Sequence, residues 1–270
     1  MKLRAGPMRR PSLRYFPRPD VHLSLGRGRG LALSELALPG APEWLRGRTL
    51  LFASDFHLRP GMDAEWLAAR MSDAGADMIL LGGDYADRRE QALRLFDAFR
   101  ALRAPLGIFA VAGNNDVEAF GGLAPLGDAM RAFGAELLVN RGETVAVGGG
   151  SLRVAGVDEY RYGAPRFEGL FSEADGYRIL LSHYPILPDG AAPDLMLSGH
   201  THGGQFNLFG LTPYGVGFER FGARRALAPA MVSGARRFGR TTLVVSKGIG
   251  ASRVPLRVGV RPELCRIAFR

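Results

Sequence analysis

Four of the five histidines in this 270-residue chain lie in short polar motifs that also contain aspartate, asparagine or glycine. The motifs are Asp55-Phe56-His57, Gly82-Gly83-Asp84, Gly113-Asn114-Asn115-Asp116, Ser182-His183-Tyr184-Pro185 and Gly199-His200-Thr201-His202-Gly203-Gly204. Carboxylate, amide and imidazole donors without any sulfur suit divalent ions such as Mn, Fe or Zn. The motifs therefore predict a hydrolytic metal site.

Each motif follows a short apolar run. The runs are Leu50 to Ala53, Met78 to Leu81, Ile108 to Val111, Ile179 to Leu181 and Leu195 to Leu197. Runs this short and this apolar are typical of strands buried on both faces. Open α/β sheets bind ligands beyond the carboxyl ends of their strands, so we expect the motifs to converge there.

Amphipathic helix patterns alternate with these strands in the first half of the chain. Asp63 is predicted to cap the first helix. The second and third helices, the latter over residues 122 to 133, are predicted from apolar faces at Ala92, Leu95, Phe96, Phe99 and Leu102, and at Leu126, Met130 and Phe133. Beyond Gly134 the pattern becomes richer in strands. Gly148-Gly149-Gly150 predicts a hairpin, and a second hairpin is predicted between Val21–Leu25 and Leu31–Leu33.

The order of the motifs resembles that of the calcineurin-like metallophosphoesterases. The strings Leu197 to Gln205, Ser246 to Ser252 and Pro255-Leu256-Arg257 resemble the YkuE-like bacterial branch, which is related to UDP-2,3-diacylglucosamine pyrophosphatases. The resemblance implies an α/β fold, a sandwich of two mixed β-sheets flanked by helices. We expect one metallophosphoesterase domain over residues 20 to 270 after a flexible basic arm over residues 1 to 19.

The resemblance also implies two divalent metal ions, with Mn expected and Fe or Zn as alternatives. It makes Asp84 the bridging ligand, completes one site with Asp55, His57 and His202, and completes the other with Asn114, His183 and His200. Two ions lower the pKa of bound water towards ~7. The implied reaction is hydrolysis of a phosphodiester or pyrophosphate bond by a hydroxide that the two ions share.

Asn115 departs from the family pattern, because many relatives have histidine there. An amide can donate a hydrogen bond to a phosphoryl oxygen, but it cannot protonate a leaving group. This favours substrates whose leaving group is already stable, such as pyrophosphate-linked compounds or activated diesters. A neighbouring acid that replaces the histidine is the alternative. Asp116 is predicted to hydrogen-bond the turn rather than bind metal.

Basic residues are in excess, with a formal net charge of +9 and a pI near 10.4. Many lie in the N-terminal arm and between Arg220 and Arg240. A solvated surface is one interpretation. Attraction to an anionic membrane surface is the other, with nucleic acid as a weaker candidate, and no obligate protein partner is evident. The apolar stretch Ala226–Val232 is predicted to be a buried loop, with acyl-chain contact as the alternative.

Further expectations concern location and other functions. The single cysteine, Cys265, excludes an internal disulfide and is predicted to be buried. The sequence has no apolar stretch of ~18 residues and no export pattern, so we expect a cytoplasmic protein. Peripheral attachment to the inner membrane face and a lipid-linked substrate such as UDP-diacylglucosamine are further hypotheses. The alternatives are a nuclease, a cyclic-nucleotide phosphodiesterase or a non-catalytic metal-binding scaffold.

The remaining polar candidates are predicted to be structural or are left open. His22 is predicted to be structural or exposed. Lys247 and Arg257 are predicted to be surface residues, with contact to an anionic substrate as the alternative. Asp87, Arg88 and Arg89 are interpreted either as lining the mouth of the site or as the start of a helix.

Overall fold

The computed structural model describes residues 23–24, 30–172, 174–188, 193–209, 211–213 and 230–270. The basic arm and His22 lie outside these ranges. The described strands are β1 (Leu23–Ser24), β2 (Ala32–Leu38), β3 (Thr49–Ala53), β4 (Met78–Leu81), β5 (Ile108–Ala110), β6 (Ala135–Leu137), β7 (Arg141–Val147), β8 (Gly150–Gly156), β9 (Tyr177–Leu181), β10 (Leu195–Ser198), β11 (Gly234–Phe238), β12 (Thr241–Val245), β13 (Arg257–Val258) and β14 (Glu263–Phe269). The described α-helices are α1 (Ala64–Asp73), α2 (Arg89–Phe99), α3 (Asn114–Phe120) and α4 (Leu123–Arg131).

The strands form two six-stranded mixed sheets and a two-stranded ribbon of β1 and β13. The first sheet has the order β2-β14-β3-β4-β5-β6, with β3 to β6 parallel. The second has the order β11-β12-β10-β9-β8-β7, with β8, β9, β10 and β12 parallel. The parallel strands in the middle of each sheet precede the motifs, so their carboxyl ends position the site.

Strand alternation explains how the layers pack. In β3, Leu50 and Phe52 lie in the core between the two sheets, whereas Leu51 and Ala53 pack towards the helices. Successive side chains in a strand point to opposite faces, so a strand covered on both faces must be apolar throughout. The central strands therefore read as unbroken apolar runs, and the predicted sandwich is confirmed.

The outer faces of the sheets are covered differently. All four described helices contribute to the core on the first sheet's outer face. On the second sheet, Met196, Leu243 and Val245 pack against loop side chains that include Phe167 and Met231. Within the described ranges, no helix is both long and apolar enough to cross a bilayer.

Several local predictions are confirmed. The Asp63 side chain accepts a hydrogen bond from the Trp66 backbone N–H and caps α1. The apolar faces predicted for the second and third helices are buried, and β7 and β8 form the hairpin at Gly148 to Gly150. Cys265 is a buried free thiol in β14.

The hairpin predicted between residues 21 and 33 is wrong. Instead, β1 pairs with β13, and β2 pairs in parallel with β14 over seven residues. β2 pairs with β14 rather than with the strand at Leu23–Ser24 because β14 is the longer partner. β14 offers a long, mostly buried neighbour, whereas the strand at Leu23–Ser24 has only two residues.

Candidate metal centre

The seven predicted ligands converge at the carboxyl ends of strands from both sheets. Asp55 and His57 follow β3, Asp84 follows β4, and Asn114 begins α3 after β5. His183 follows β9, and His200 and His202 follow β10. The structure groups Asp55, His57 and His202 within 4.8 Å, and groups Asp55, Asp84 and His183 in the same way. The ligand roles themselves stay predictions.

Five of these residues have a left-handed backbone: Asp55, His57, Asp84, His200 and His202 have φ angles of 54°, 38°, 55°, 69° and 52°. Residues other than glycine seldom adopt this conformation, which costs on the order of 1–3 kcal/mol at each position. Hydrogen bonds between the loops offset this cost. The backbone N–H groups of Asp55 and His57 donate to the carbonyls of Gly83 and Asp84 at 2.9 and 3.0 Å.

Two glycines allow the loops after β4 and β5 to touch. A Cβ on Gly83 would lie 2.4 Å from the Gly113 backbone nitrogen, and a Cβ on Gly113 would lie 2.2 Å from Asp84 Oδ1. Neither position can hold a larger residue without displacing backbone or the Asp84 carboxylate. This close approach explains why glycine stands before both Asp84 and Asn114.

One half of the cluster is formed by His57 and His202. Their Nε2 atoms are 3.2 Å apart, and His202 Nε2 lies 3.4 Å from Asp55 Oδ1. The outer nitrogen of His57, Nδ1, lies 2.7 Å from Asp87 Oδ1. Because a carboxylate accepts, this contact makes Nδ1 a donor and directs Nε2 into the cluster.

The other half is formed by His183 and His200. His200 Nδ1 lies 3.3 Å from His183 Nε2, and His183 Nδ1 lies 2.7 Å from the Gly82 carbonyl oxygen. A carbonyl can only accept, so Nδ1 of His183 is a donor and Nε2 is the nitrogen directed into the cluster. The Tyr184 ring stacks on His200 at 3.8 Å, and the Tyr184 hydroxyl lies 3.5 Å from Asn114 Oδ1.

Asp84 lies between the two halves. Its Oδ2 is 3.4 Å from His57 Nε2 and 3.5 Å from His183 Nε2, and its Oδ1 accepts from the Asn115 N–H at 2.9 Å. This is the position that a bridging carboxylate requires. Asp116 instead accepts from the backbone N–H groups of Asp84, Gly113 and Tyr85 at 2.7 to 2.8 Å, as predicted for a residue that secures the turn.

Charge is distributed unequally among the histidines. Burial opposes a charge on His57, but its contacts with Asp84 and Asp87 outweigh it and raise the pKa of His57 to about 9. Burial also opposes a charge on His183, yet the Asp84 carboxylate raises the pKa of His183 to about 10. Burial, with the charge of His183, lowers the pKa of His200 to about 3. At neutral pH His57 and His183 are therefore protonated beside Asp84, whereas His200 is neutral, and a divalent cation would have to displace the protons of the first two.

Divalent cations fit this donor set. His57 and His183 each direct Nε2 inward because Nδ1 is bonded to an acceptor, so Nε2 is the nitrogen that would bind a cation once its proton is displaced. Buried carboxylates of Asp55 and Asp84 lie beside them. Oxygen and nitrogen donors without sulfur match Mn, Fe or Zn.

Arg257 is not a surface residue, contrary to the sequence prediction. It is 0 % exposed and donates to the carbonyls of Gly250 and Lys247 at 2.5 and 2.7 Å. Its Nη2 lies 3.1 Å from His202 Nδ1. A guanidinium cannot accept, so Nδ1 accepts here, and a ligand role for Nε2 would require the ring to release its remaining proton. Burial and the positive charges of His57 and Arg257 lower the pKa of His202 well below its ordinary value, so the ring is neutral.

Lys247 and Asp87 also have definite roles. The Lys247 ammonium forms an ion pair with the buried Glu263 at 2.9 Å, so Lys247 is not a free surface charge either. Asp87 precedes α2 and bonds His57, while its other oxygen lies 3.5 Å from Arg59. The sequence left open whether Asp87 lies at the start of a helix or lines the site. In the structure Asp87 lies two residues before α2 and also lines the cavity.

A cavity of about 450 Å³ opens above the cluster. Asp84, Asn114, His200 and His202 reach it from below. Asn115 also lines it, with its Nδ2 donating to Asp87 Oδ1 at 3.1 Å. The predicted hydrogen-bond donor therefore faces the space in which a substrate would lie.

Comparison with known proteins assigns the chain to a family. Residues 48–204 match the family model of the calcineurin-like phosphoesterases. The uncharacterized metallophosphoesterase YkuE of Bacillus subtilis is 29% identical over 242 residues, covering 83% of this chain and 79% of that protein. An uncharacterized metallophosphoesterase of Aquifex aeolicus is 32% identical, covering 82% and 84%. The phosphodiesterase YaeI of Escherichia coli is 29% identical, covering 80% and 79%.

Proposed function

Because the chain belongs to the calcineurin-like phosphoesterase family, we propose that it hydrolyses a phosphodiester or pyrophosphate bond with two divalent metal ions. The observation that carries the proposal is the position of Asp84. Its Oδ2 lies within 3.5 Å of one histidine from each half of the cluster. The proposed ligands are Asp55, His57, Asp84, Asn114, His183, His200 and His202, with Mn as the expected metal.

The protein's own residues would hold the metal ligands in position and bind the phosphoryl group. When bound, the ions would supply Lewis-acid activation of water and of the phosphoryl oxygens. The chain holds the ligand geometry through Asp87 and Arg257, which contact the outer nitrogens of His57 and His202. Asn115 offers an amide donor at the cavity wall for a phosphoryl oxygen.

The leaving group would depart without help from a proton donor at Asn115. Asp87 is the neighbouring acid, but its hydrogen bond with His57 lowers its pKa and so keeps it ionised. General-acid catalysis typically contributes 10²–10⁴-fold, and its absence matters least when the leaving group is a stable anion. This supports pyrophosphate-linked compounds or activated diesters over alkyl monoesters.

We further propose a peripheral location on an anionic membrane and a lipid-linked substrate such as UDP-diacylglucosamine. Support comes from four exposed apolar side chains, Leu208, Phe209, Leu211 and Val254, of which Phe209 is 92% exposed. The net charge of +9 would attract an anionic surface. Met231, by contrast, packs against the second sheet, and residues 226–229 lie outside the described ranges.

A nuclease is the less supported alternative. Binding of single-stranded nucleic acid usually uses a long basic groove with several aromatic platforms. In the described part of the chain, Tyr184 is the one phenolic or phenyl ring that lines the cavity.

The test of the proposed function is metal-dependent hydrolysis of bis(p-nitrophenyl) phosphate. We expect activity with Mn, loss of activity in excess chelator, and loss of activity in Asp84→Ala. The matched control is Asp97→Ala, because Asp97 is an exposed acid that pairs only with Arg100 among the described residues. Full activity of Asp84→Ala, or of the wild type in chelator, would overturn the two-metal proposal.

A further inference from the structure

Two arginines line the cavity above the ligand cluster and pair with no carboxylate among the residues that the structure describes. Arg161 follows β8 and Arg253 precedes β13, and both side chains line the cavity. Neither forms an ion pair within the ranges that the structure describes. The acids at the same cavity have other partners: Asp87 contacts His57 and Arg59, and Glu118 accepts from Tyr162. We call Arg161 and Arg253 the rim arginines.

Arg161 is held in place by a buried carboxylate. Glu159 is 1% exposed, and its two oxygens accept from the backbone N–H groups of Arg161 and Tyr162 at 2.7 and 2.8 Å. The guanidinium lies over the Tyr162 ring at 5.0 Å. Arg161 lines the cavity together with Tyr184 and His200, on the His183–His200 half of the cluster.

Arg253 is held by a different device on the other side. Its backbone has a left-handed φ of 53°, which residues other than glycine seldom adopt. The buried Gln205 secures this turn, because its amide donates to the carbonyls of Ser252 and Val254 and accepts from the Ser252 N–H at 2.9 to 3.1 Å. Gly250, three residues before Arg253, lies against the Phe56 carbonyl and His57 Cβ, so this turn adjoins the loop that carries His57.

We propose that the rim arginines bind the leaving phosphate of a pyrophosphate-linked substrate. This deepens the proposed function and rests on it. In-line hydrolysis forms a bond from a water oxygen to phosphorus, breaks the bridging P–O bond with its electron pair on the leaving phosphate, and releases the water proton to solvent. Attack from the side of the cluster puts that phosphate in the cavity, between the two guanidinium groups.

Guanidinium groups suit this task. Each presents parallel N–H donors that match two phosphate oxygens, and it keeps its charge at any working pH. Their charge would stabilise the leaving phosphate where Asn115 supplies no proton. A diester with a neutral leaving alcohol would leave the rim arginines without a partner. The substrate class inferred is therefore a phosphoric anhydride, such as a nucleoside diphosphate derivative.

The test compares the binding of two ligands that differ by one phosphoryl group. Dissociation constants of AMP and of α,β-methylene-ADP are measured by calorimetry on the Mn-loaded full chain. We expect the wild type to prefer the diphosphonate by about 10-fold or more, as charge-assisted hydrogen bonds allow. Arg161→Ala and Arg253→Ala should each remove most of this preference. Arg161→Lys and Arg253→Lys should retain part of it.

The control is Arg166→Ala, because Arg166 lies in the same loop as Arg161 but does not line the cavity. It should keep the full preference, and thermal melting verifies that every variant is folded. Equal affinity of the wild type for both ligands, or a preference unchanged by both alanine variants, would overturn the inference. Diphosphonate preference in a protein that fails to hydrolyse bis(p-nitrophenyl) phosphate would support the rim arginines and reject the proposed function. Hydrolysis of bis(p-nitrophenyl) phosphate without a preference for the diphosphonate would support the proposed function and reject the role of the rim arginines.

Discussion

The contact between Asp87 and His57 makes a quantitative prediction about metal affinity. Asp87 Oδ1 lies 2.7 Å from His57 Nδ1 and holds the ring with Nε2 directed into the cluster. Removing a partner that orients a metal-binding histidine costs about 10–100-fold in affinity or activity. Asp87→Asn keeps an acceptor but loses the charge, so we expect about 10-fold weaker Mn binding, near the lower limit of that range. Asp87→Ala loses both and should approach about 100-fold.

The pH dependence of this loss follows from the pKa of His57. Asp84 and Asp87 together raise that pKa to about 9, so a metal must displace a proton from His57 at neutral pH. Removing Asp87 lowers the pKa and eases this displacement, which partly offsets the poorer orientation. The offset shrinks as the pH rises towards 9. The disadvantage of Asp87→Asn should therefore be larger at pH 8.5 than at pH 6.5.

Mn affinity can be measured by calorimetry and by Mn titration of bis(p-nitrophenyl) phosphate hydrolysis. Asp97→Asn is the matched control, since Asp97 is an exposed acid of α2 that is paired with Arg100. The reasoning is refuted if Asp87→Asn and Asp87→Ala both bind Mn with the affinity of the wild type. A fall in kcat at unchanged Mn affinity would instead assign Asp87 to substrate contact at the mouth of the cavity.

Three further predictions concern other parts of the molecule. Activity should fall steeply as the pKa of the leaving group rises, and Asn115→His should help poor leaving groups more than nitrophenolate; a flat dependence in the wild type would indicate a substitute acid. Asp116→Asn should lower the free energy of unfolding by about 1–3 kcal/mol in urea titrations, because one buried N–H loses its acceptor; equal stability would contradict this. Phe209→Ser should weaken co-sedimentation with anionic vesicles, and 1 M salt should weaken it as the screening length falls to ~3 Å. The control Leu93→Ser, a change at an exposed leucine of α2, should leave vesicle binding unchanged. Equal, negligible binding of the wild type to neutral and anionic vesicles would refute the membrane proposal.

Much of the fold could be predicted because its signals are local. An apolar run of four residues followed by glycine and aspartate is visible in the sequence, and the structure has β4 and Asp84 there. Strand partners are not local, which is why the hairpin at residues 21 to 33 was wrong. β2 finds its partner 231 residues away, as the register of Glu35 with Arg266 shows.

Arg257 shows why part of the site escaped prediction. Arginine is rarely fully buried, so a surface position was the natural expectation. Its burial depends on backbone carbonyls of Gly250, Lys247 and His202 that converge only in the folded chain. Helix α3 escaped for a related reason. It begins within the Asn114 motif and has only seven residues, too few for an apolar periodicity to stand out.

The origin of the cluster in two sheets ties its geometry to the core between them. Asp84 follows the first sheet, whereas His183 follows the second, and their contact of 3.5 Å spans the two layers. The layers are held apart by side chains such as Phe52 and Leu197, which are fully buried. Such interiors are close-packed, so the distance between the layers is fixed by side-chain volume rather than by the loops. The contacts of Asp84 with both halves of the cluster therefore form only in the fully packed sandwich, so the geometry of the site depends on the integrity of the core.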